Sequence, residues 1–143
     1  MKQFTKYLSI FTLALAFSLP LQANAQDAAF SHKDDAWWNK LELQLTKSLE
    51  RSVDQVQDET LQHIVFFATN YEDKVQLGHL APKLLDMYKT EKNDARRTMA
   101  VMALHAIGNK HSMNRLARLA QNEPPGSLRN ITMAVIADYK TNS

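Results

Sequence analysis

The sequence predicts an all-α fold of six helices arranged as about three antiparallel pairs. Three observations point there. Glycine occurs only three times in 143 residues, and the four prolines sit at the edges of apolar segments rather than inside them. Long stretches consist of Ala, Leu, Met, Gln, Lys and Arg, the strong helix formers, and no stretch sustains the apolar–polar alternation of a half-buried strand. Apolar residues also recur in steps of three and four, and whole sets of them return at a fixed distance along the chain.

The first 25 residues read as a secretory signal. Lys2 and Lys6 are their only charges, an apolar run extends from Tyr7 to Leu19, Pro20 breaks it, and Ala23 and Ala25 supply an A-x-A exit. A run of 13 residues falls short of the roughly 20 that a bilayer-spanning helix requires, so cleavage after Ala25 and no lasting membrane span are expected. No cysteine stands at the exit to carry a lipid, and none occurs elsewhere. An exported chain could use disulfides; this one must rely on apolar burial, which 118 remaining residues can supply. The expected destination is the periplasm or the exterior.

Residues 26–34 read as a flexible leader, and 35–141 as the helical domain. Asp34 or Asp35 suits the start of a first helix with Trp38, Leu41, Leu45 and Leu49 on one face and Trp37 beside it. Polar residues from Ser52 to Asp54 interrupt the pattern. A second helix turns Val56, Leu61, Ile64 and Phe67 inward, with Val65 and Phe66 widening the stripe. Asn70 to Gly78 is a longer connection. The third helix begins near Pro82, a residue tolerated in a first turn, and carries Leu84, Leu85, Met87 and Tyr88. Asn93 or Asp94 caps a fourth, with Ala100, Val101, Leu104 and Ile107 inward and Gly108 placed to end it. A fifth holds Met113, Leu116, Leu119 and Ala120. Glu123-Pro124-Pro125-Gly126 stops it, and Ser127 is expected to cap a sixth with Ile131, Met133, Ile136 and Tyr139.

Self-similarity organises these helices. Ala100, Val101, Leu104 and Ile107 match Thr132, Met133, Ile136 and Tyr139 at an offset of 32, and Thr60, Leu61, Ile64 and Phe67 at an offset of 40. Leu84 and Met87 likewise match Leu116 and Leu119. The extra eight residues of the first unit fall in the Asn70 to Gly78 connection, where an insertion costs least. Asp94-Ala95-Arg96-Arg97, followed by Ala100, Ala103, Leu104, Ile107 and Gly108, together with Ser127-Leu128-Arg129 ahead of Thr132, Val135 and Ile136, resembles the HEAT-repeat family. The resemblance covers roughly residues 36–140 and implies an α-α superhelix, or HEAT/armadillo-type solenoid, that works by protein contacts. It places Arg97 and Arg129 at the position where the family commonly pairs Arg with an acid in a ladder. The first unit has Val56-Gln57 there instead, and no run of Asp marks a ladder.

No catalytic, cofactor or metal motif is legible. Of the five histidines, His105 and His111 lie six apart across Gly108, and no pair has the i, i+4 spacing that sets two imidazoles on one helix face. Asp58-Glu59 suits a helix first turn, where acids favour the dipole. No nucleophile elbow or phosphate loop is present. A non-enzymatic role without cofactors is therefore expected, with a metal-binding or hydrolytic envelope protein using His105 and His111 as the alternative.

Charge and off-stripe apolar residues suggest where partners bind. Residues 26–94 hold 8 Lys+Arg against 13 Asp+Glu, whereas residues 95–143 hold 7 against 2. After loss of the signal the two signs balance, which disfavours nucleic acid as a partner. The basic half, with Arg96, Arg115, Arg118 and Arg129, would steer an acidic protein or peptide to that end. Phe66, Met99, Met102 and Ile131 lie outside the inward columns of the second helices and read either as core between neighbouring units or as a forgiving apolar groove for a peptide. The outer side of the sixth helix, with Ile131 and Ala134, has no polar cap, so a homo-oligomer through the C-terminal helix pair, or a self-assembling structural role, is a further expectation.

Overall fold

The computed structural model describes residues 29–143, and among them six α-helices follow one another from Asp35 on; the expected signal (1–25) and residues 26–28 of the leader lie outside the described residues. They are α1 (Asp35–Leu49), α2 (Asp54–Asn70), α3 (Ala81–Thr90), α4 (Asp94–Ile107), α5 (Lys110–Gln121) and α6 (Ser127–Asn142). A 3₁₀ turn, Leu77–Leu80, leads directly into α3. Among the described residues there is no strand, and no helix is long and apolar enough to cross a membrane. All six helices belong to one unit, Asp35–Ser143.

Short connections make sequential helices antiparallel neighbours, and the packing follows that order. Helix α1 lies on α2, α3 on α4, and α5 on α6. The second members of the pairs pack in series, α2 against α4 and α4 against α6, while α3 packs on α5. This two-layer order is compatible with a helical repeat fold.

Burial follows the offsets of 40 and 32. Thr60, Ala100 and Thr132 are buried, as are Ile64, Leu104 and Ile136. A small residue at the first of these positions lets neighbouring helices approach closely. The two threonines bend their hydroxyls back onto their own helix, Thr60 donating to the Val56 carbonyl at 2.6 Å and Thr132 to that of Leu128 at 2.8 Å, so neither leaves a buried donor unmet. On the first helices Leu84, Met87 and Leu116 are buried. Not every expected inward residue is. Val56, Ile107, Leu119 and Tyr139 are half-covered, and Met133 is exposed.

The Asn70 to Gly78 connection is more than a spacer. Tyr71, Val75 and Leu77 within it are buried. Tyr71 stacks tilted on Trp38 at 5.3 Å between centroids, and Trp38 meets Phe67 edge-on at 6.1 Å. Trp37 and Phe66 join the same aromatic cluster, edge-on to Phe67 at 6.5 and 5.1 Å. Such edge and tilted pairs are favourable beyond their area, and they tie the connection to the first helix pair.

The helix ends show which side chains set the boundaries. Asn93 caps α4, its side-chain oxygen accepting from the N–H groups of Ala95 at 2.9 Å and Arg96 at 3.3 Å. Gly108 ends α4 at φ 67°, a left-handed conformation costly for any residue with a Cβ. Asn109 caps α5 through the Ser112 N–H at 3.0 Å. The expectation for α6 is corrected: Gly126 holds the cap position, and Ser127 is already the first helical residue, so its hydroxyl caps nothing. The Pro124-Pro125-Gly126 turn delivers the chain into the helix one residue earlier than the serine would have set it.

Candidate functional site

Two adjacent arginines at the start of α4 organise one edge of the molecule. Asn93 fixes the first turn of the helix, and successive residues there point 100° apart, so Arg96 and Arg97 reach in different directions. Arg96 reaches back to α2. Its Nε donates to Asp58 at 2.7 Å, and its Nη1 donates to Asp54 and to Glu91, both at 3.1 Å. Arg97 reaches forward: Nη1 donates to Glu123 Oε1 at 2.9 Å, Nη2 donates to Glu123 Oε2, and Nε donates to the Tyr88 carbonyl at 2.7 Å. Its guanidinium also lies 5.1 Å from the Tyr88 ring centroid. One arginine therefore bridges to the preceding helix pair and its neighbour to the following pair.

The electrostatics follow from these bonds. Charge-assisted bonds, led by Asp58, raise the Arg96 pKa despite its burial. Burial works against the Arg97 charge, but the bonds to Glu123 and Asp94 outweigh it. The Asn93 N–H, and after it Arg96 and the Lys92 N–H, pull the Glu91 carboxyl below its ordinary range. Burial raises the Tyr88 phenol.

Arg96 is thereby a correction to the expected basic surface. Its side chain is only 5% exposed and is committed to three carboxylates, so it offers nothing to a partner. Arg115 and Arg118 stand exposed on α5, and Arg129 is half-covered near the start of α6. None of these three has a carboxylate within ion-pair distance among the described residues. The two acids of this half are already engaged, Glu123 by Arg97 and Asp138 by His105 at 2.8 Å. The basic field therefore comes from α5 and α6, not from α4.

The four apolar candidates fall on the three second helices, which pack in series. Phe66 on α2 is half-buried beside Phe67 and Tyr71. Met99 on α4 is half-buried, whereas Met102 is 38% exposed and Ile131 on α6 is 37% exposed. Met99 and Ile131 are 32 residues apart and so occupy one repeat position, with more cover at the inner copy. An open groove of about 490 Å³ separates the starts of α4 and α6, lined by Asp94, Arg97, Thr98, Glu123 and Pro124 among others. Its cation is already held by Glu123.

His105 and His111 do not converge with a third acidic or imidazole group. Among the described residues no cluster of three or more His, Cys, Asp or Glu could hold a metal ion. His105 links α4 to α6 through Asp138, and His111 is exposed on α5.

Sequence reasoning missed the acids. Glu91 and Glu123 lie 32 apart, in the repeat register, each in the turn between the two helices of a pair. A search for a run of Asp overlooked a Glu that recurs in step with the apolar columns. Comparison of the chain with protein-family models, with curated proteins and with solved structures finds no match.

Proposed function

We propose that this chain is an exported, non-enzymatic HEAT-like solenoid that acts as a protein-interaction module in the cell envelope, periplasmic or secreted. Export rests on the charged start, the apolar run from Tyr7 to Leu19 and the A-x-A exit at Ala25. The HEAT-like reading is supported by burial at positions 60, 100 and 132, by Gly108 ending α4, and by Arg97 bonded to an acid of the next unit. The contact surface is the run of Phe66, Met99, Met102 and Ile131 across the second helices, and Arg115, Arg118 and Arg129 give the same C-terminal half its basic charge.

The observation that carries the reading is the exposure of Met102 and Ile131. Large apolar side chains kept in water on adjacent packed helices favour a partner that covers them, and methionine adapts to varied partners. The basic C-terminal half, whose Arg115, Arg118 and Arg129 have no acid among the described residues, favours an acidic partner and speeds its encounter.

Met102→Asp with Ile131→Asp tests this. Both sites are open, so helicity and thermal midpoint should stay near wild type. Crosslinking capture from the native envelope should lose the partners that the wild-type protein retains. Unchanged capture by the folded double variant removes the strip as the contact surface.

A further inference from the structure

We propose that the Met102 thioether is a reversible oxidation site, and that its conversion to the sulfoxide by a hydroperoxide releases the partner held on the apolar strip. The inference rests on the reading of Phe66, Met99, Met102 and Ile131 as a contact surface and adds the means of switching that surface off.

The sequence contains six methionines and no cysteine. The thiolate that a peroxide usually attacks first is missing, so thioethers are its most readily oxidised groups. Beyond Met1, the fold sorts them by cover. Met87 and Met113 are buried in the core, at 5% and 2% exposure, and Met99 is half-buried. Met102 and Met133 are the two that face solvent, at 38% and 46%. Peroxide therefore reaches Met102 and Met133 first.

Only one of these two lies on the strip. Residues three apart on a helix are about 60° apart around its axis, so Met99 and Met102 share a face of α4. Met133 holds the repeat position of buried Val101 and stands about 200° around α6 from Ile131. It undergoes the same chemistry on a different face and serves as an internal control.

The sulfoxide adds a strong acceptor oxygen where the strip offers no free donor. Phe66 and Ile131 are apolar, and Thr98, one turn before Met102 on the same side of α4, already donates its hydroxyl to the Asp94 carbonyl at 2.8 Å. In the free protein water meets the new oxygen. Under a partner it is buried without a bond, so oxidation weighs against the bound state and leaves the fold alone.

The step needs nothing from the protein beyond the thioether. The sulfur lone pair attacks one peroxide oxygen, the O–O bond breaks and an S–O bond forms. The proton of the transferred oxygen passes to the leaving one, which departs as water or, from an organic hydroperoxide, as an alcohol. Sulfur loses two electrons and the peroxide gains them. Sulfoxide reductases reverse the change with two electrons and two protons from a thiol reductant, releasing the oxygen as water.

The test treats the purified protein with graded hydrogen peroxide and follows it by peptide mass mapping, circular dichroism and crosslinking capture from the native envelope. Met102 and Met133 should each gain one oxygen about tenfold faster than Met87 and Met113, with helicity unchanged. Capture should fall about tenfold as Met102 is converted, and return after treatment with the two epimer-specific sulfoxide reductases and dithiothreitol. Met102→Leu should capture as wild type does and keep doing so after peroxide, whereas Met133→Leu should give no protection. Oxidation of Met102 no faster than that of Met113 overturns the proposal. So does capture that persists with Met102 fully converted, or capture by Met102→Leu that peroxide still abolishes. If the unoxidised protein captures nothing that the Met102→Asp, Ile131→Asp variant loses, the contact-surface reading falls and the switch with it. Capture that depends on the strip but ignores peroxide overturns the switch alone.

Discussion

Arg97 and Glu123 meet through paired N–H···O bonds that tie the first turn of α4 to the turn ahead of α6. Their side chains are 15% and 13% exposed, so water screens the pair weakly. Removing one partner from such a pair costs more than the pair contributes, because the other charge stays desolvated. Arg97→Ala also leaves the Tyr88 carbonyl without its donor. The expected destabilisation is about 3 kcal/mol, read as a lower urea midpoint with unchanged slope. Arg97→Lys keeps the charge but loses the fork and should recover only part of it. A loss below about 0.5 kcal/mol for the alanine variant, the range of ordinary surface substitutions, would show that the pair holds nothing together.

The same substitution at one repeat position should give opposite results in two helices. Val101 has no exposure and Met133 has 46%. Val101→Asp places a carboxylate in a packed interior without a partner and should unfold the protein or lower its stability by more than about 4 kcal/mol. Met133→Asp should change it by no more than about 0.5 kcal/mol. Thermal melts of the dilute proteins compare them directly. Equal sensitivity at both positions would contradict the uncovered face of α6.

What the sequence made legible, and what it concealed, divides along physical lines. Helix number and the inward columns were readable because apolar periodicity is a local signal: Leu61, Ile64, Leu84, Leu104 and Leu116 are all buried as expected. Cover is not local. Met133 satisfies the same pattern as Val101, yet only packing by a later element decides which one is dry. Arg96 shows the reverse error. Its charge suggested water, but three carboxylates from α2 and from the turn ahead of α4 make burial tolerable, and no periodicity announces a bond across 38 or 42 residues. Tyr71 and Val75 lie in a connection, outside any helix, yet both are buried, Tyr71 within the aromatic cluster. Of the proposed contact residues, the exposure of Met102 and Ile131 and the lack of acids around Arg115, Arg118 and Arg129 are properties of the fold, and sequence supplied only the candidates.

The caps give a graded test of the boundaries. Asn93→Ala removes the acceptor for two N–H groups of α4 and should cost about 1 kcal/mol. Ser127→Ala should cost almost nothing, since Ser127 makes no capping bond. Gly108→Ala has room for its methyl group, the nearest atom being the His105 carbonyl oxygen at 3.8 Å. Its cost is therefore backbone strain at φ 67°, about 1 kcal/mol. Denaturant midpoints that rank Ser127→Ala as the most damaging of the three would mean that the α6 boundary is misplaced.

Acid should loosen the α3–α4 turn through Glu91. Its folded pKa is lowered, chiefly by the Asn93 N–H and then by Arg96 and the Lys92 N–H, so the unfolded chain binds its proton more readily. By linkage, stability rises with pH across that window. The contribution is complete above the ordinary glutamate value of about 4.3 and disappears as pH falls through the lower folded value. Glu91→Gln cannot titrate there. The stability gap between wild type and Glu91→Gln should hold steady from neutrality down to about pH 5, then close as the solution is acidified past the usual glutamate range. Urea midpoints measured along that series decide it. A gap that widens towards acid would mean that the folded protein favours the protonated carboxyl, contrary to the bonds that Asn93, Lys92 and Arg96 make to it.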